Sequence, residues 1–286
     1  VVGAWHDIAQ RQMYITGGVS VGEHYEKGYT RPLTGNVVET CATMSWMELT
    51  HYLLELTGES SYGDAIERLL INHVFAAQTI DGDCSRYHTP PNGTKHDYFH
   101  GPDCCTGSGH RVISKLPVFF YGQDDQGLFI HQYVPSTVCI RLDGGRVVQL
   151  IQDTMYPEEE TVLLKVNPSE PLDFMLRLRI PGWCLDPAVS VNGVIVKDVR
   201  PGTYLSVNRL WQPGDQVQLA FPMQLRWERR ANHTKAHVVR LQGGTVEEMW
   251  EAEPDSDAPY ALLRGPVVYA FDTAWQDDAS SASASD

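Results

Sequence analysis

A short acidic–thiol motif and a distant pair of adjacent cysteines constrain this chain most tightly. Glu39-Thr40-Cys41 lies in the first part of the chain, and Cys104-Cys105 follows far downstream. In a Glu-x-Cys segment, extended backbone points both side chains to the same face, and the β-branched residues of Asn36-Val37-Val38 favour extended backbone there. The Gly/Pro turn from Gly101 to Gly107 can aim both neighbouring sulfurs at one point. The pattern predicts a fold that brings the two segments together.

Three thiols and a carboxylate can close a tetrahedral zinc site. Thiolate sulfur binds zinc at about 2.3 Å, and a carboxylate oxygen is an ordinary fourth ligand. The spacing leaves a second interpretation open, because six cysteines can also form three disulfides in a secreted protein. Adjacent cysteines rarely bridge each other, since a trans peptide holds their Cα atoms only about 3.8 Å apart. The other three cysteines resemble small apolar residues in strand-like or loop contexts; they are Cys84, Cys139 and Cys184.

Histidines near the cysteine pair offer a competing metal site. Histidine is the commonest metal ligand in proteins, and one imidazole could replace a ligand of the thiol–carboxylate set. In loops such histidines are more often hydrogen-bond donors. The candidates are His88, His96, His100 and His110.

Several further motifs follow one another along the chain. They are Thr16-Gly17-Gly18, Gly22-Glu23-His24, Asp64-Ala65-Ile66-Glu67-Arg68, Gly127-Leu128-Phe129-Ile130, Arg179-Ile180-Pro181-Gly182-Trp183 and Arg264-Gly265-Pro266-Val267-Val268-Tyr269. Together with Glu39-Thr40-Cys41 and Cys104-Cys105, in this order, they closely resemble glycoside hydrolase families 127 and 146, the β-L-arabinofuranosidase-like enzymes. The resemblance covers nearly the whole chain. It implies an α+β multidomain protein, in which an (α/α)6 catalytic barrel is followed by a β-sandwich.

The resemblance also implies a set of site residues. The implied zinc ligands are Glu39, Cys41, Cys104 and Cys105. It further implies retaining hydrolysis of a carbohydrate substrate, with Cys104 as nucleophile and Glu23 as general acid/base. Glu67 and Tyr87 fall where the family places sugar-contacting residues. The segment Thr106 to His110 departs from the Pro-x-Asn of many members, so the sugar stays open.

Each implied role has a plainer alternative in the residues themselves. Glu23 lies in a polar loop, where a lone carboxylate is usually solvated. Glu67 is one step round a predicted helix from the apolar Ile66, so its exposure is ambiguous. Tyr87 stands beside a Pro-rich loop, where an aromatic ring commonly serves packing alone.

Composition limits the partners. The chain has 286 residues and a net charge of −14, so a phosphate backbone is an unsuitable partner. It contains no run of about 18 apolar residues that would span a membrane. Neither observation fixes the compartment, and bacterial cytoplasm and a secreted location both stay open.

Residues 1–124 have the periodicity of helices. The clearest runs from Ala42 to Thr57, with Gly58 beyond its end. Ser61 is placed to cap the next helix, with Asp64 at its third position. Two more are expected, from Trp5 to Tyr14 and from Gly109 to Tyr121, the last disturbed by Pro117.

Residues 125–272 change to the pattern of a β-sandwich. Short β-rich runs such as Val147–Ile151 and Phe174–Ile180 are separated by turns such as Asn192-Gly193, and several short strands at this spacing are typical of that architecture. The tail, 273–286, has the Ser/Ala/Asp composition of a disordered segment.

The helix count predicts an incomplete barrel, since about four helices cannot close a ring of twelve. The chain also begins with Val1, inside what the resemblance makes a barrel helix. We therefore expect an inactive, self-associating fragment with an exposed apolar face. That face would be formed by parts of two stripes: Trp46, Leu49 and Leu53, and Ile66, Leu70 and Val74.

The sequence leaves three functions open. The first is a retaining glycosidase releasing β-L-arabinofuranose or a related sugar from plant-type glycans. The second is a non-catalytic protein with structural zinc, whose sandwich binds glycan. The third is a dithiol redox switch at Cys104-Cys105. An open pocket at Cys104 would favour catalysis, because structural zinc sites are closed.

Overall fold

A helical part is followed by an all-β part in the computed structural model. The structure describes residues 1–25, 31–93, 103–229, 235–240, 246–251 and 260–270. The helices are α1 (Val2–Arg11), α2 (Thr40–Thr57), α3 (Ser60–Leu69), which continues as a π-helical turn (Leu70–Val74), α4 (Cys104–Ser114) and α5 (Leu116–Phe120). Helix gives way to strand at Tyr121. The α+β class is as expected. Five α-helices in the described residues do not test the twelve-helix barrel.

The longest helix, α2, confirms the strongest helix prediction. Gly58 ends it in the left-handed conformation at φ 68°, and its N–H donates to the Leu54 carbonyl at 2.8 Å. Glycine carries no Cβ penalty there. The prediction that Ser61 caps α3 is wrong. The helix already begins at Ser60, whose hydroxyl donates instead to the Gly202 carbonyl at 2.5 Å.

The predicted last helix is divided. Helix α4 starts earlier than expected, at Cys104, and ends at Ser114, and α5 begins anew at Leu116. Pro117 lies in the first turn of α5, where its missing N–H leaves no helical bond unmade. The proline therefore begins a new short helix rather than bending a continuous one.

The apolar stripes of the helical part face inward. Trp46, Leu53, Ile66, Leu70 and Val74 are each at most 4% exposed. The expectation of an exposed apolar face on these stripes is wrong, because the stripes are buried in a cluster that also takes residues from α1, α4 and α5. Those residues include Trp5, Val112 and Phe119, and the Trp5 ring stacks on Trp46 at 5.4 Å.

Two antiparallel-rich sheets form the β-sandwich. The strands are β1 (Tyr121–Gln123), β2 (Gly127–Ile130), β3 (Ser136–Arg141), β4 (Val147–Thr154), β5 (Thr161–Pro168), β6 (Leu172–Ile180), β7 (Ala188–Val191), β8 (Val194–Ile195), β9 (Thr203–Trp211) and β10 (Asp215–Ala220). One sheet has the order β1-β2-β6-β9 and the other β3-β4-β5-β10-β7-β8. The predicted strands and sandwich are confirmed within these residues.

The sandwich core follows from the alternation of its strands. In β4 and β5 every second residue is buried, so the two sheets meet through one apolar face each. The core includes Leu150, Leu164, Leu176, Trp211 and Phe221. The predicted turn at Asn192-Gly193 joins β7 to β8, with φ of 50° and 79°, the positive pair that a tight hairpin requires.

Further strands follow the sandwich. They are β11 (Leu225–Arg229), β12 (Lys235–Arg240), β13 (Val246–Glu251), β14 (Tyr260–Arg264) and β15 (Val267–Tyr269). β11, β14 and β15 form a three-stranded sheet, and β12 pairs with β13. The tail predicted for 273–286 lies outside the described residues. In the part of the chain that is described, no helix has the length and apolar character needed to cross a membrane.

Candidate metal centre and active site

The first turn of α2 carries two of the four predicted ligands. Glu39 is the residue before the helix, at φ −70° and ψ 135°, and its Oε2 accepts from the Ala42 N–H at 2.7 Å. Cys41 is the second residue of the helix. The extended Glu-x-Cys backbone expected from the sequence is therefore wrong beyond Glu39. The carboxylate caps the helix, and capping sets the helix start at Thr40.

The first turn of α4 carries the other two ligands. Asp103 caps this helix, and its Oδ1 accepts from the Thr106 N–H at 2.7 Å. Cys104 and Cys105 are the first two helical residues. The predicted turn is therefore wrong from Cys104 onward, where a helix start aims the pair. Gly101 and Pro102 lie outside the described residues.

The two helix starts converge on one point. The ligand atoms of Glu39, Cys41, Cys104 and Cys105 all lie within 4.8 Å of one another. Bonds of about 2.3 Å at tetrahedral angles would place zinc-bound sulfurs about 3.8 Å apart, so the donor set fits zinc in number, chemistry and spacing. Within the described residues no histidine belongs to this cluster. His96 and His100 lie outside those residues.

The three sulfurs differ in exposure. Cys105 is fully buried, Cys41 is half-buried, and Cys104 is exposed. Burial raises the pKa of the Cys41 thiol to about 11 and raises that of Cys105 further. A metal that binds them as thiolates must therefore displace protons. All six cysteines are free of disulfides in the described structure.

A hydroxyl that the sequence analysis missed touches the cluster. Ser108 Oγ lies 3.2 Å from Cys41 Sγ and is buried on α4. It stands four residues after Cys104, and positions i and i+4 share one helix face. That spacing was the available signal once a helix was assigned there.

The Glu39 backbone is fixed by the loop before it. The Glu39 N–H donates to Ser20 Oγ at 2.9 Å. Val38 holds a positive φ of 55°, unfavourable for a β-branched residue, and packs against Gly18, where an added Cβ would lie only 2.3 Å from Val38 Cγ1. Part of the Thr16-Gly17-Gly18 motif is thus explained, since glycine at position 18 makes room for the residue preceding a ligand.

Tyr87 links the two predicted catalytic residues. Its hydroxyl donates to the Glu23 carboxylate, and the Cys104 thiol donates to the same hydroxyl at 3.6 Å. The hydrogen bond to Glu23 raises the pKa of Tyr87 above its ordinary range, with a further contribution from Cys104. The structure therefore brings Glu23, Tyr87 and Cys104 together on the exposed side of the cluster.

His88 lies beside this group without joining the cluster. Its ring centroid is 4.8 Å from that of Tyr87, and its backbone pairs with Glu39 in an isolated bridge. Burial lowers the pKa of His88, against the opposing charges of Glu39 and Glu23. The neutral ring is therefore favoured. His110 is exposed on α4.

Glu67 is placed elsewhere. It is 2% exposed on α3, and its Oε1 accepts from Tyr156 and from Arg179, each at 2.6 Å. Its Oε2 accepts from Trp183 Nε1 at 2.9 Å. All three donors come from the β-sandwich. Glu67 also borders a cavity of about 220 Å³, which is lined by residues of the helical part together with Trp183, Arg226 and Pro266. The predicted sugar contact of Glu67 stays a prediction.

Sequence reasoning missed Arg179, the centre of this polar junction. It is fully buried and also pairs with Asp64 on α3 at 2.5 Å. Asp64 accepts a further bond from the Gly182 N–H at 3.0 Å. The signal was Asp and Glu three residues apart on a helix, which share one face.

The comparisons with known proteins agree with this arrangement. The family model "Beta-L-arabinofuranosidase, GH127 catalytic domain" matches residues 3–118, and "Beta-L-arabinofuranosidase, GH127 middle domain" matches residues 127–223. The two models cover most of the chain in the order expected. The chain therefore belongs to glycoside hydrolase family 127, and its helical part with a thiol–carboxylate cluster, followed by a β-sandwich, agrees with that membership.

Individual relatives are similar over nearly all of this chain. A non-reducing end beta-L-arabinofuranosidase of Bifidobacterium longum subsp. longum is 28% identical over 292 aligned residues, 93% of this chain and 40% of the relative. The crystal structure of Ara127N-Se, a GH127 beta-L-arabinofuranosidase from Geobacillus stearothermophilus T6, gives a TM-score of 0.76 at 32% identity. The alignment with that structure covers 92% of this chain and 41% of the structure's chain.

A third comparison gives the same fold. BT3674, described as a GH127 beta-arabinofuranosidase, matches with a TM-score of 0.74 at 27% identity, over 92% of this chain and 42% of that structure. The chain thus spans less than half the length of these relatives.

Proposed function

We propose that this protein is a retaining glycoside hydrolase that releases β-L-arabinofuranose or a related sugar from plant-type glycans. One observation carries the proposal: Cys104 is the exposed sulfur of the cluster and shares the Tyr87 hydroxyl with Glu23. The proposed nucleophile and the proposed proton donor thus lie beside one hydroxyl, and a double displacement needs both groups close to the same sugar. The names of the similar proteins supply the sugar.

The first half of the reaction breaks the glycosidic bond. The Cys104 thiolate attacks the anomeric carbon and forms a carbon–sulfur bond, while the bond to the leaving-group oxygen breaks. Glu23, as a carboxylic acid, gives its proton to that oxygen. The alcohol departs, and the sugar is left on sulfur.

The second half restores the protein. Glu23, now a carboxylate, takes a proton from a water molecule that attacks the anomeric carbon, and the carbon–sulfur bond breaks. Cys104 regains its thiolate, and the proton on Glu23 readies it for the next cycle. Two inversions at one carbon retain its configuration.

Zinc is the group that the ligand set fits. Glu39, Cys41, Cys104 and Cys105 would hold it, and bound zinc would keep the thiols deprotonated at neutral pH. The fully buried Cys105 and the helix-capping Glu39 are then fixed ligands. Cys104 alone combines ligation with access from solvent.

Two further predictions belong to this proposal. Tyr87 contacts the substrate, since its hydroxyl lies between the nucleophile and the proton donor. Residues 1–124 form the C-terminal portion of an (α/α)6 barrel, and residues 125–272 form the sandwich domain. The helical and sandwich matches, 3–118 and 127–223, support the boundary near residue 124, while β11, β14 and β15 form a sheet of their own within the second range.

The exposed Cys104 favours catalysis over a purely structural metal, because a structural site is closed around its ion. A dithiol switch is also less well supported, since Cys105 is buried against Glu39 at 3.4 Å.

The test is hydrolysis of a nitrophenyl β-L-arabinofuranoside by the zinc-loaded protein, with the anomer released followed by NMR. The inactive fragment expected from the helix count is the opposite outcome. Because the apolar stripes that an open barrel would expose are buried, we expect turnover, with β-L-arabinofuranose as the first product. Cys104→Ser should abolish turnover, whereas Cys139→Ser, which changes another exposed cysteine, should not. An inverted first product, or full activity in Cys104→Ser, would refute the proposal.

A further inference from the structure

The hydroxyl of Tyr87 has one proton and two neighbours that take turns in carrying negative charge. It donates to Glu23 in the structure, and Cys104 Sγ lies 3.6 Å from the same oxygen. Once Cys104 is a thiolate, the sulfur can only accept. A phenol has a single O–H to donate, so it can serve one of the two anions at a time.

We propose that Tyr87 transfers its hydrogen bond between Cys104 and Glu23 as negative charge moves between them. This inference rests on the proposed function. When Glu23 is a neutral acid, the Tyr87 O–H points to the Cys104 thiolate. When the sugar is on sulfur and Glu23 is a carboxylate, it points to Glu23. The O–H rotates about its C–O bond, and no proton leaves Tyr87.

The hydrogen bond is made before and after each half of the reaction, to the Cys104 thiolate or to the Glu23 carboxylate. Tyr87 therefore stabilises whichever of the two groups carries the negative charge. A hydrogen bond to a charged group contributes about 1.5–3 kcal/mol, or roughly 10- to 100-fold. Tyr87 is therefore a positioning residue that acts through Glu23 and Cys104, in addition to any contact with sugar.

Removal of the hydroxyl alone isolates this role. The backbone carbonyl of Tyr87 accepts from the Thr40 N–H at 2.9 Å, and its ring packs against His88. Phenylalanine keeps both contacts, so Tyr87→Phe should fold normally. Every variant is compared fully loaded with metal, because loss of the hydrogen bond to Cys104 also weakens metal binding. Tyr52→Phe is the matched control, because Tyr52 is 58% exposed on α2.

The first test reads the sulfur without turnover. In cobalt-loaded protein, the thiolate-to-cobalt absorption band reports charge on the ligating sulfurs, which hydrogen bonds tune. Glu23→Gln mimics the neutral acid, so the Tyr87 bond should move to Cys104 and shift the band to shorter wavelength. The double variant Glu23→Gln/Tyr87→Phe should lose that shift, and Tyr52→Phe should leave it in place. Identical bands in the single and double Glu23 variants would overturn the inference.

A second measurement keeps the two proposals apart. Hydrolysis of the nitrophenyl β-L-arabinofuranoside tests the reaction, whereas the cobalt spectrum, which is read without substrate, tests the hydrogen bond of Tyr87. If the unmodified protein hydrolyses nothing, the proposed function fails, while the cobalt spectrum still decides the role of Tyr87.

Discussion

The guanidinium of Arg179 donates to the carboxylate of Glu67 at 2.6 Å, with both side chains almost fully removed from water. Arg179 belongs to the sandwich and Glu67 to α3, which packs on α2, the helix that carries Cys41. The pair thus joins the two parts of the chain next to a site helix. Burial of a charge is costly unless its partner is present.

Loss of this partner should destabilise the protein strongly. Glu67→Gln leaves the Arg179 charge buried with one carboxylate fewer, and we expect the free energy of unfolding to fall by roughly 3 kcal/mol. Urea denaturation followed by tryptophan fluorescence measures the change. Asp124→Asn is the matched control: it weakens the more exposed pair of Asp124 with Arg177 and should cost less than about 1 kcal/mol. Equal losses of unfolding free energy in the two variants would contradict the stronger contribution of the Glu67–Arg179 pair.

Ser108 should contribute to metal affinity through Cys41. A hydroxyl that donates to a ligating thiolate lowers the charge the sulfur must carry, and loss of such a partner typically costs about 10- to 100-fold in metal affinity. Ser108→Ala should therefore weaken zinc binding by at least about 10-fold in competition with a chromophoric chelator. Ser114→Ala removes a hydroxyl from the exposed end of the same helix and should bind zinc normally. Equal affinities in the two variants would exclude the role.

Gly18 should be required for the site because of Val38. A Cβ at position 18 would lie 2.3 Å from Val38 Cγ1, so Gly18→Ala must displace the residue next to Glu39. We expect a loss of about 1–3 kcal/mol in unfolding free energy together with weaker zinc binding. Gly3→Ala, where nothing lies within 4 Å, is the control and should leave both unchanged or raise stability slightly. Normal zinc affinity in Gly18→Ala would show that Val38 can move without Glu39.

His131 should make stability depend on pH. Burial, together with the charges of His51 and Arg179, lowers the pKa of His131 to about 3. The unfolded chain takes up the proton near pH 6.5, while the folded protein does not until far lower pH. Stability from this group is therefore complete above about pH 6.5 and is lost as the pH falls, by about 2 kcal/mol at pH 5.

The measurement is the free energy of unfolding at pH 7 and pH 5. His131→Asn should reduce the difference between the two values, whatever its effect at pH 7, because the titrating group is gone. His6→Asn, at an exposed position of α1, is the control. A pH dependence unaltered by His131→Asn would remove His131 as its source.

Prediction from sequence succeeded where one local rule decides the structure. Gly58 ends α2 because its left-handed backbone suits glycine, and Asn192-Gly193 makes a hairpin for the same reason. The four predicted ligands also meet. The backbone beneath them was misjudged, since the Glu39 and Asp103 carboxylates serve as helix caps.

Prediction failed where a third layer covers a surface. Strand alternation turns Arg179 away from the sandwich core, which normally means solvent, but α3 lies over that face and supplies Asp64 and Glu67. Similarly, the apolar stripes of the helical part were expected to face missing helices. They are instead buried in a cluster that includes residues of α1, α4 and α5. Periodicity shows which face a residue occupies, and only tertiary packing shows what lies against it.

Because the site is built at the starting ends of α2 and α4, the loop that follows the far end of α2 carries no ligand. An 18-residue helix such as α2 is about 27 Å long, so the loop at Gly58 and Glu59 lies well away from the sulfurs. Insertions, fused domains or fluorescent labels at that loop can change the protein's surroundings while the two capped turns stay intact. The same distance lets evolution, or an engineer, remodel the periphery of the molecule without rebuilding its chemistry.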